Sequence, residues 1–195
     1  MSSVFSTPVL TPCLRLLAKG ALWLSGWRVE IKDPPPPPFV LIGAPHTSNW
    51  DFGLMMAALL ITGHEARWLG KLSLFRPPFK GLMRWLGGVP VDREHHQNAV
   101  STIAALVRQT PDFILCVAPE GTRRKVERWR TGFYFIALEA RIPIVMVAID
   151  AETRTLRLLG HYRPTGDAEH EIPEIQRCFK GFGGLRAENA FAIPD

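Results

Sequence analysis

Phe39-Val40-Leu41-Ile42-Gly43-Ala44-Pro45-His46-Thr47-Ser48-Asn49-Trp50-Asp51 is the stretch whose reading decides the fold. The apolar run 39–42 reads as a buried strand, which Gly43 and Pro45 bring to an end. A helix follows almost at once. The Asn49-Trp50-Asp51 run offers capping side chains, and Phe52, Leu54, Met55, Met56, Leu59 and Leu60 supply an apolar helical segment reaching about residue 62. His46 therefore stands on a strand-to-helix turn. Within one helix, residues five apart would be rotated by about 140°, so His46 and Asp51 can meet only across a backbone bend. A carboxylate on the imidazole Nδ1–H fixes the tautomer and leaves Nε2 as a general base near neutral pH.

Outward from this turn the same alternation repeats. Residues 27–31 read as a short strand and the prolines 34–38 as a stiff connector. A strand over 67–70 delivers Lys71 to its end, and a helix over about 79–86 is closed by Gly87-Gly88. Val89-Pro90-Val91 is a short strand placed at an edge by its proline, delivering Asp92-Arg93. A helix over about 95–108 buries Val100, Ile103, Ala104 and Val107. The continuous apolar run 113–117 is a central strand ending in Ala118-Pro119-Glu120-Gly121-Thr122-Arg123-Arg124. A helix within 129–140, a central strand at 144–149, an edge strand at 153–160 and a helix near 173–179 complete the pattern. The fold class is α/β: a single-domain, mixed, mostly parallel sheet flanked by helices, with an N-terminal amphipathic helix. The expected division is residues 1–33 as N-terminal helix and short strand, and residues 38–195 as the main domain.

Residues 10–25 set Leu14, Leu17, Ala18, Ala21 and Leu24 on one side of that N-terminal helix and Arg15 and Lys19 on another. This pattern serves a helix packed on the core or one lying in a membrane interface with its basic residues toward headgroups, and one helix can do both. No apolar stretch reaches the roughly 18 residues of a spanning helix. The three cysteines, Cys13, Cys116 and Cys178, have neither zinc-type spacing nor an even count, which fits a reducing cytoplasm. A chain of 195 residues carrying a net charge of +5 forms one domain whose surface favours anionic partners.

Four polar clusters end four apolar strands: His46/Asp51, Lys71, Arg93, and Glu120 to Arg123. In open α/β sheets the C-terminal strand ends form the ligand crevice, so four elements converge on one cleft. One imidazole–carboxylate pair among several cations suits general-base chemistry on a phosphate-bearing substrate. No metal site is expected, because His95 and His96 diverge on a helix and His64, His161 and His170 lack ligand-type neighbours. Nucleic acid is not an expected partner, since the basic residues stand singly at strand ends rather than in an aromatic-interleaved stripe.

These residues resemble the glycerolipid acyltransferases related to lysophosphatidic acid acyltransferase. His46-Thr47-Ser48-Asn49-Trp50-Asp51 matches that family's His-x-Ser-x-x-Asp motif and Pro119-Glu120-Gly121-Thr122-Arg123 its Pro-Glu-Gly-Thr-Arg motif. Gly88-Val89-Pro90-Val91-Asp92-Arg93 resembles the block ending in a phosphate-binding arginine, Gly70-Lys71 the lysine segment before it, and Ile142-Pro143-Ile144-Val145 the fourth block. Trp129-Arg130-Thr131-Gly132 stands where the family commonly has Phe-Lys before its glycine.

The resemblance covers residues 38–150. It implies acyl transfer from acyl-CoA or acyl-carrier protein, as co-substrate and without a cofactor, to the hydroxyl of a lysophospholipid, 1-acylglycerol 3-phosphate foremost, giving phosphatidic acid. His46 would be the base and Asp51 its orienting group. Arg93 and Arg123 would hold the acceptor phosphate, and Lys71 would be a further substrate-binding residue. Glu120, Gly121 and Thr122 would shape the acceptor site, with a backbone N–H near Gly121 as oxyanion donor. The implied location is cytoplasmic, peripheral on the inner face of a membrane. The same chemistry on glycerol 3-phosphate, another lysophospholipid or a lyso-aminolipid, and a non-catalytic lipid-binding module, are the alternatives.

Overall fold

Period-two side-chain alternation sorts the central strands onto two faces. In the computed structural model, which describes residues 3–91 and 96–193 (backbone alone for 96–98), the strands are β1 (Arg28–Glu30), β2 (Phe39–Ala44), β3 (Ala66–Lys71), β4 (Gly88–Val91), β5 (Ile114–Val117), β6 (Ile144–Asp150) and β7 (Thr155–Tyr162). Together they make one seven-stranded sheet in the order β1-β7-β6-β2-β5-β3-β4. All neighbouring pairs are parallel except β6 with β7. The helices are α1 (Leu10–Ser25), α2 (Trp50–Thr62), α3 (Lys80–Trp85), α4 (His96–Gln109), α5 (Gly132–Ala140) and α6 (Ala168–Arg177). The mixed, mostly parallel sheet flanked by helices is the fold class read from the sequence.

On one face Val40, Ile42, Ala44, Leu115, Ile144 and Met146 pack against Ile103 and Val107 of α4, Phe133 and Ile136 of α5, and Ile175 of α6. On the other, Phe39, Ile114, Cys116 and Val145 meet Leu59 of α2, and Val147 and Ile149 meet Ala58. Both faces of β2, β5 and β6 are therefore covered, which is why these strands read as continuous apolar runs.

Three elements differ from their sequence reading. The strand expected at 153–160 is β7 at 155–162, and it is second from the edge because β1 pairs with it, Val29 opposite Leu156. Its neighbour is a strand read only as an isolated fragment. The tail helix begins earlier than residue 173, because Asp167 takes the N-cap and its carboxylate accepts the His170 N–H; Pro173 lies inside the helix. In α1 the expected apolar side is split. Arg15 turns inward and donates from Nε to the Leu60 carbonyl (2.7 Å), a cation at the C-terminal end of α2. Thr11 and Leu22 are buried and Arg15 is half-buried, while Leu16, Leu17, Trp23 (80% exposed) and Leu24 (79% exposed) form an outward stripe. β1 extends the sheet, and the described N-terminal segment meets α3 through the Val4 N–H on the Trp85 carbonyl (2.9 Å).

Gly87 turns the chain from α3 into β4 with φ +88°, and a Cβ there would lie 2.5 Å from the Ala66 carbonyl oxygen. Both the left-handed angle and the backbone approach oppose any side chain. Gly87→Ala should lower unfolding stability by about 2–5 kcal/mol, the sum of a left-handed penalty and an overpacking penalty. Urea titration checks this, and an unchanged midpoint would contradict the packing described.

Candidate active site

Because β2, β3, β4 and β5 are parallel, their C-terminal ends open on one edge of the sheet, and β2 lies beside β5 with Ile42 opposite Val117. The turn after β2 carries His46, and the turn after β5 carries Glu120. The bend expected between His46 and Asp51 is present. His46 Nδ1 lies 3.0 Å from Asp51 Oδ2, the aspartate buried and the histidine partly open to solvent. The same Oδ2 accepts the backbone N–H groups of Thr47 (2.7 Å) and Ser48 (2.8 Å). Asp51 sits in the first turn of α2, where the helix dipole favours a negative charge. The carboxylate is thus fixed by the turn it spans, and it faces Nδ1 as an acceptor, so the imidazole proton sits on Nδ1 and Nε2 carries the free lone pair.

Asn49 does not cap the helix, as its place in the sequence led us to expect. It already has helical angles (φ −67°, ψ −26°) and makes no capping bond. The Ser48 hydroxyl instead accepts the Trp50 N–H at 3.3 Å.

Glu120 is buried, and its Oε1 accepts the His46 N–H at 3.1 Å across 74 residues of sequence. Its Oε2 has no hydrogen-bond partner among the described residues. Burial pushes the Glu120 carboxyl above its ordinary value, against the pull of the backbone N–H groups, its own and that of His46. This carboxylate therefore works on the histidine's backbone. The Gly121 N–H is spent closing the turn on the Ala118 carbonyl (3.0 Å), so that N–H is not an oxyanion donor. Thr122 and Arg123 are exposed, and so is Lys71 at the end of β3. Arg93 lies outside the described residues.

Two cavities meet at His46. The first, of about 180 Å³, runs beneath α2 between the helix and the sheet. Phe52, Met55 and Leu59 line its helix side and Leu41, Cys116 and Val147 its sheet side. It reaches from Asp51 to Thr62, about 16 Å along the helix axis. The second, of about 510 Å³, opens on the other side of the sheet edge between α4 and α5.

The tail contributes a contact with no counterpart in the sequence reading. The Arg186 N–H donates to Thr47 Oγ1 at 3.0 Å, and Gly184 lies so close that a Cβ would be 2.8 Å from that oxygen. Gly184, with φ +65°, is the one signal the sequence offered for this close approach.

A histidine clamped by a buried carboxylate stands at the mouth of an apolar cavity on a parallel sheet edge, an arrangement suited to general-base chemistry beside an apolar chain. The acyltransferase family model matches residues 28–150, more than half of the sequence, and the chain belongs to that family. It is 33% identical over 121 residues to the 1-acyl-sn-glycerol-3-phosphate acyltransferase of Salmonella typhimurium, covering 59% of this chain and 48% of that protein. Its identity to the Escherichia coli enzyme of the same name is 31% over equal coverage. The chain spans about half the length of these curated relatives. In fold it is similar to the crystal structure of the 1-acyl-sn-glycerophosphate (LPA) acyltransferase of Thermotoga maritima, with a TM-score of 0.61, 18% identity, and coverage of 88% of this chain and 77% of that one.

The raised Glu120 carboxyl sets a testable pH dependence. The folded chain holds this proton more tightly than the unfolded chain, so its contribution to stability is most favourable at low pH. That contribution declines as pH rises from the ordinary value of 4.5 through the raised folded value. Glu120→Gln keeps an oxygen for the His46 N–H and removes the titration. Its melting temperature relative to the native protein should rise between pH 4 and pH 7.5; a constant difference would refute the assignment.

Proposed function

We propose that this chain moves a fatty acyl group from a thioester, acyl-CoA or acyl-carrier protein, to the free hydroxyl of a lysophospholipid, with 1-acylglycerol 3-phosphate as the acceptor and phosphatidic acid as the product. The observation that carries this reading is the His46–Asp51 pair at the mouth of the apolar cavity. The relatives named above are 1-acyl-sn-glycerol-3-phosphate acyltransferases, which supports the choice of acceptor.

His46 Nε2 takes the acceptor's hydroxyl proton as the oxygen attacks the thioester carbonyl. The tetrahedral intermediate collapses, the C–S bond breaks, and the imidazolium returns the proton to the leaving thiolate. Asp51 Oδ2 keeps the ring in register and stabilises its cationic form. The substrate oxygen is the nucleophile, so no acyl-enzyme, metal or prosthetic group takes part. The donor's chain lies in the cavity beneath α2. Lys71 at the end of β3, Arg93 and Arg123 are the cations that the family resemblance offers to the acceptor, and Glu120, Gly121 and Thr122 belong to the turn beside His46.

A long-chain substrate reaches this site from a membrane. Among the described residues no helix is long and apolar enough to cross one. The outward stripe of α1, Leu16, Leu17, Trp23 and Leu24, recurs at helical spacing on one side, with Lys19 exposed beside it. Such a helix lies in the headgroup boundary, and we place the chain peripherally on the inner face of the membrane.

Purified protein given 1-acylglycerol 3-phosphate and either thioester should form phosphatidic acid. His46→Ala should lose at least ~10²-fold in rate, the lower end of general-base contributions; unchanged turnover would sink the mechanism. An acceptor panel of glycerol 3-phosphate, other lysophospholipids and lyso-aminolipids separates the alternatives. Liposome binding without thioester consumption across all of them would favour a lipid-binding module.

Combined Leu17→Ser, Trp23→Ser and Leu24→Ser should reduce co-sedimentation with anionic phospholipid vesicles at least tenfold, since each buried apolar side chain contributes about 1.5–3 kcal/mol. Equal sedimentation would remove α1 from the membrane contact.

A further inference from the structure

His46 opens to both sides of the sheet, and the two sides differ in chemistry. Among the described residues, the cavity beneath α2 has no arginine or lysine in its lining. The cavity between α4 and α5 has one among the described residues, Arg130, beside Val100, Ile103, Trp129 and Phe135.

Arg130 is held in place by the same turn that holds the histidine. Its backbone N–H donates to the Pro119 carbonyl at 2.8 Å. Its side chain crosses Gly121 so closely that a Cβ there would lie 2.7 Å from both Cδ and Nε. Gly121, with φ +66°, leaves the space that the arginine stem occupies. One residue before it, Glu120 Oε1 holds the His46 N–H. Base and guanidinium are therefore registered to each other through a single turn, residues 118–121.

The guanidinium itself makes no ion pair or hydrogen bond among the described residues. A cation fixed at its stem, unpaired at its head and bordering a cavity shared with a general base is suited to a phosphoryl group, which its planar fork can hold through two oxygens. Arg123, the arginine of the Pro-Glu-Gly-Thr-Arg motif, is exposed, as Arg130 is, but lines neither cavity.

We propose that Arg130 binds the phosphoryl group of the acceptor in the α4–α5 cavity, so that acceptor headgroup and donor acyl chain reach His46 from opposite faces of the sheet. This rests on the acyltransferase reading for the identity of the two substrates. The recognised chemistry is a phosphate ester, carried by the acceptor as a monoester and also present in the donor's phosphopantetheine arm.

Calorimetric titration separates these two sources without requiring turnover. sn-Glycerol 3-phosphate and 4′-phosphopantetheine are titrated into the native protein, Arg130→Gln, Arg130→Lys and Arg123→Gln, each first checked for a native melting transition. Glycerol 3-phosphate should bind at least tenfold more weakly to Arg130→Gln and less weakened to Arg130→Lys, with phosphopantetheine binding unchanged. In turnover the KM for lysophosphatidic acid should rise with the thioester KM unaltered. A loss confined to phosphopantetheine, equal losses for both probes, a larger loss at Arg123→Gln, or no glycerol 3-phosphate binding by the native protein would each overturn the assignment. Arg130→Lys decides the matter if the glutamine variant does not fold: unweakened glycerol 3-phosphate binding there also rejects the bidentate contact. Arg130-dependent glycerol 3-phosphate binding by a protein that turns over no lysolipid would reject the acyltransferase reading and keep the site.

Discussion

One carboxylate oxygen, Asp51 Oδ2, organises this structure. It accepts two backbone N–H groups from the turn and faces the ring nitrogen of His46. A buried carboxylate in this position is stable only with several donors, since burying an unpaired charge costs far more than a hydrogen bond returns. The donors exist only if the chain bends between strand and helix. That bend aims the imidazole at the sheet edge, and the parallel arrangement of β2 and β5 brings Glu120 under the same backbone. Orientation of the imidazole is thus a property of the fold's central crossover.

The site also carries a cost. Glu120 is buried, with one oxygen unpaired among the described residues and its carboxyl pushed up by desolvation. A hydrophobic residue of similar size would avoid that penalty and would leave the His46 N–H without its acceptor. Activity-bearing turns commonly retain such locally unfavourable groups because the surrounding sheet over-determines their position. Here the flanking strands have covered faces and parallel ladders, which supply that rigidity.

Much of this was legible in the sequence, because the decisive signals were local. Apolar runs bounded by glycine and proline located β2, β5 and β6, and strand-end placement located His46, Asp51 and Glu120. Long-range features were not legible. β1 has three residues and no pattern of its own, and only its pairing with β7 makes it an edge. Arg15 reads as a solvated residue of an amphipathic helix until the Leu60 carbonyl is brought beside it. Arg130 falls within a run of charged residues, and no periodicity marks it as the one whose stem crosses Gly121.

The tie between Arg186 and Thr47 spans 139 residues. Closing so long a loop is entropically costly and gains only one hydrogen bond directly, so it forms after the sheet that brings its ends together. During synthesis, β2 and the histidine turn leave the ribosome long before residue 186. The sheet can assemble while the turn is still unfastened on its outer side. The last restraint on the histidine turn thus comes from a segment synthesised well after it, and a nascent chain that has not reached residue 186 holds His46 without that restraint.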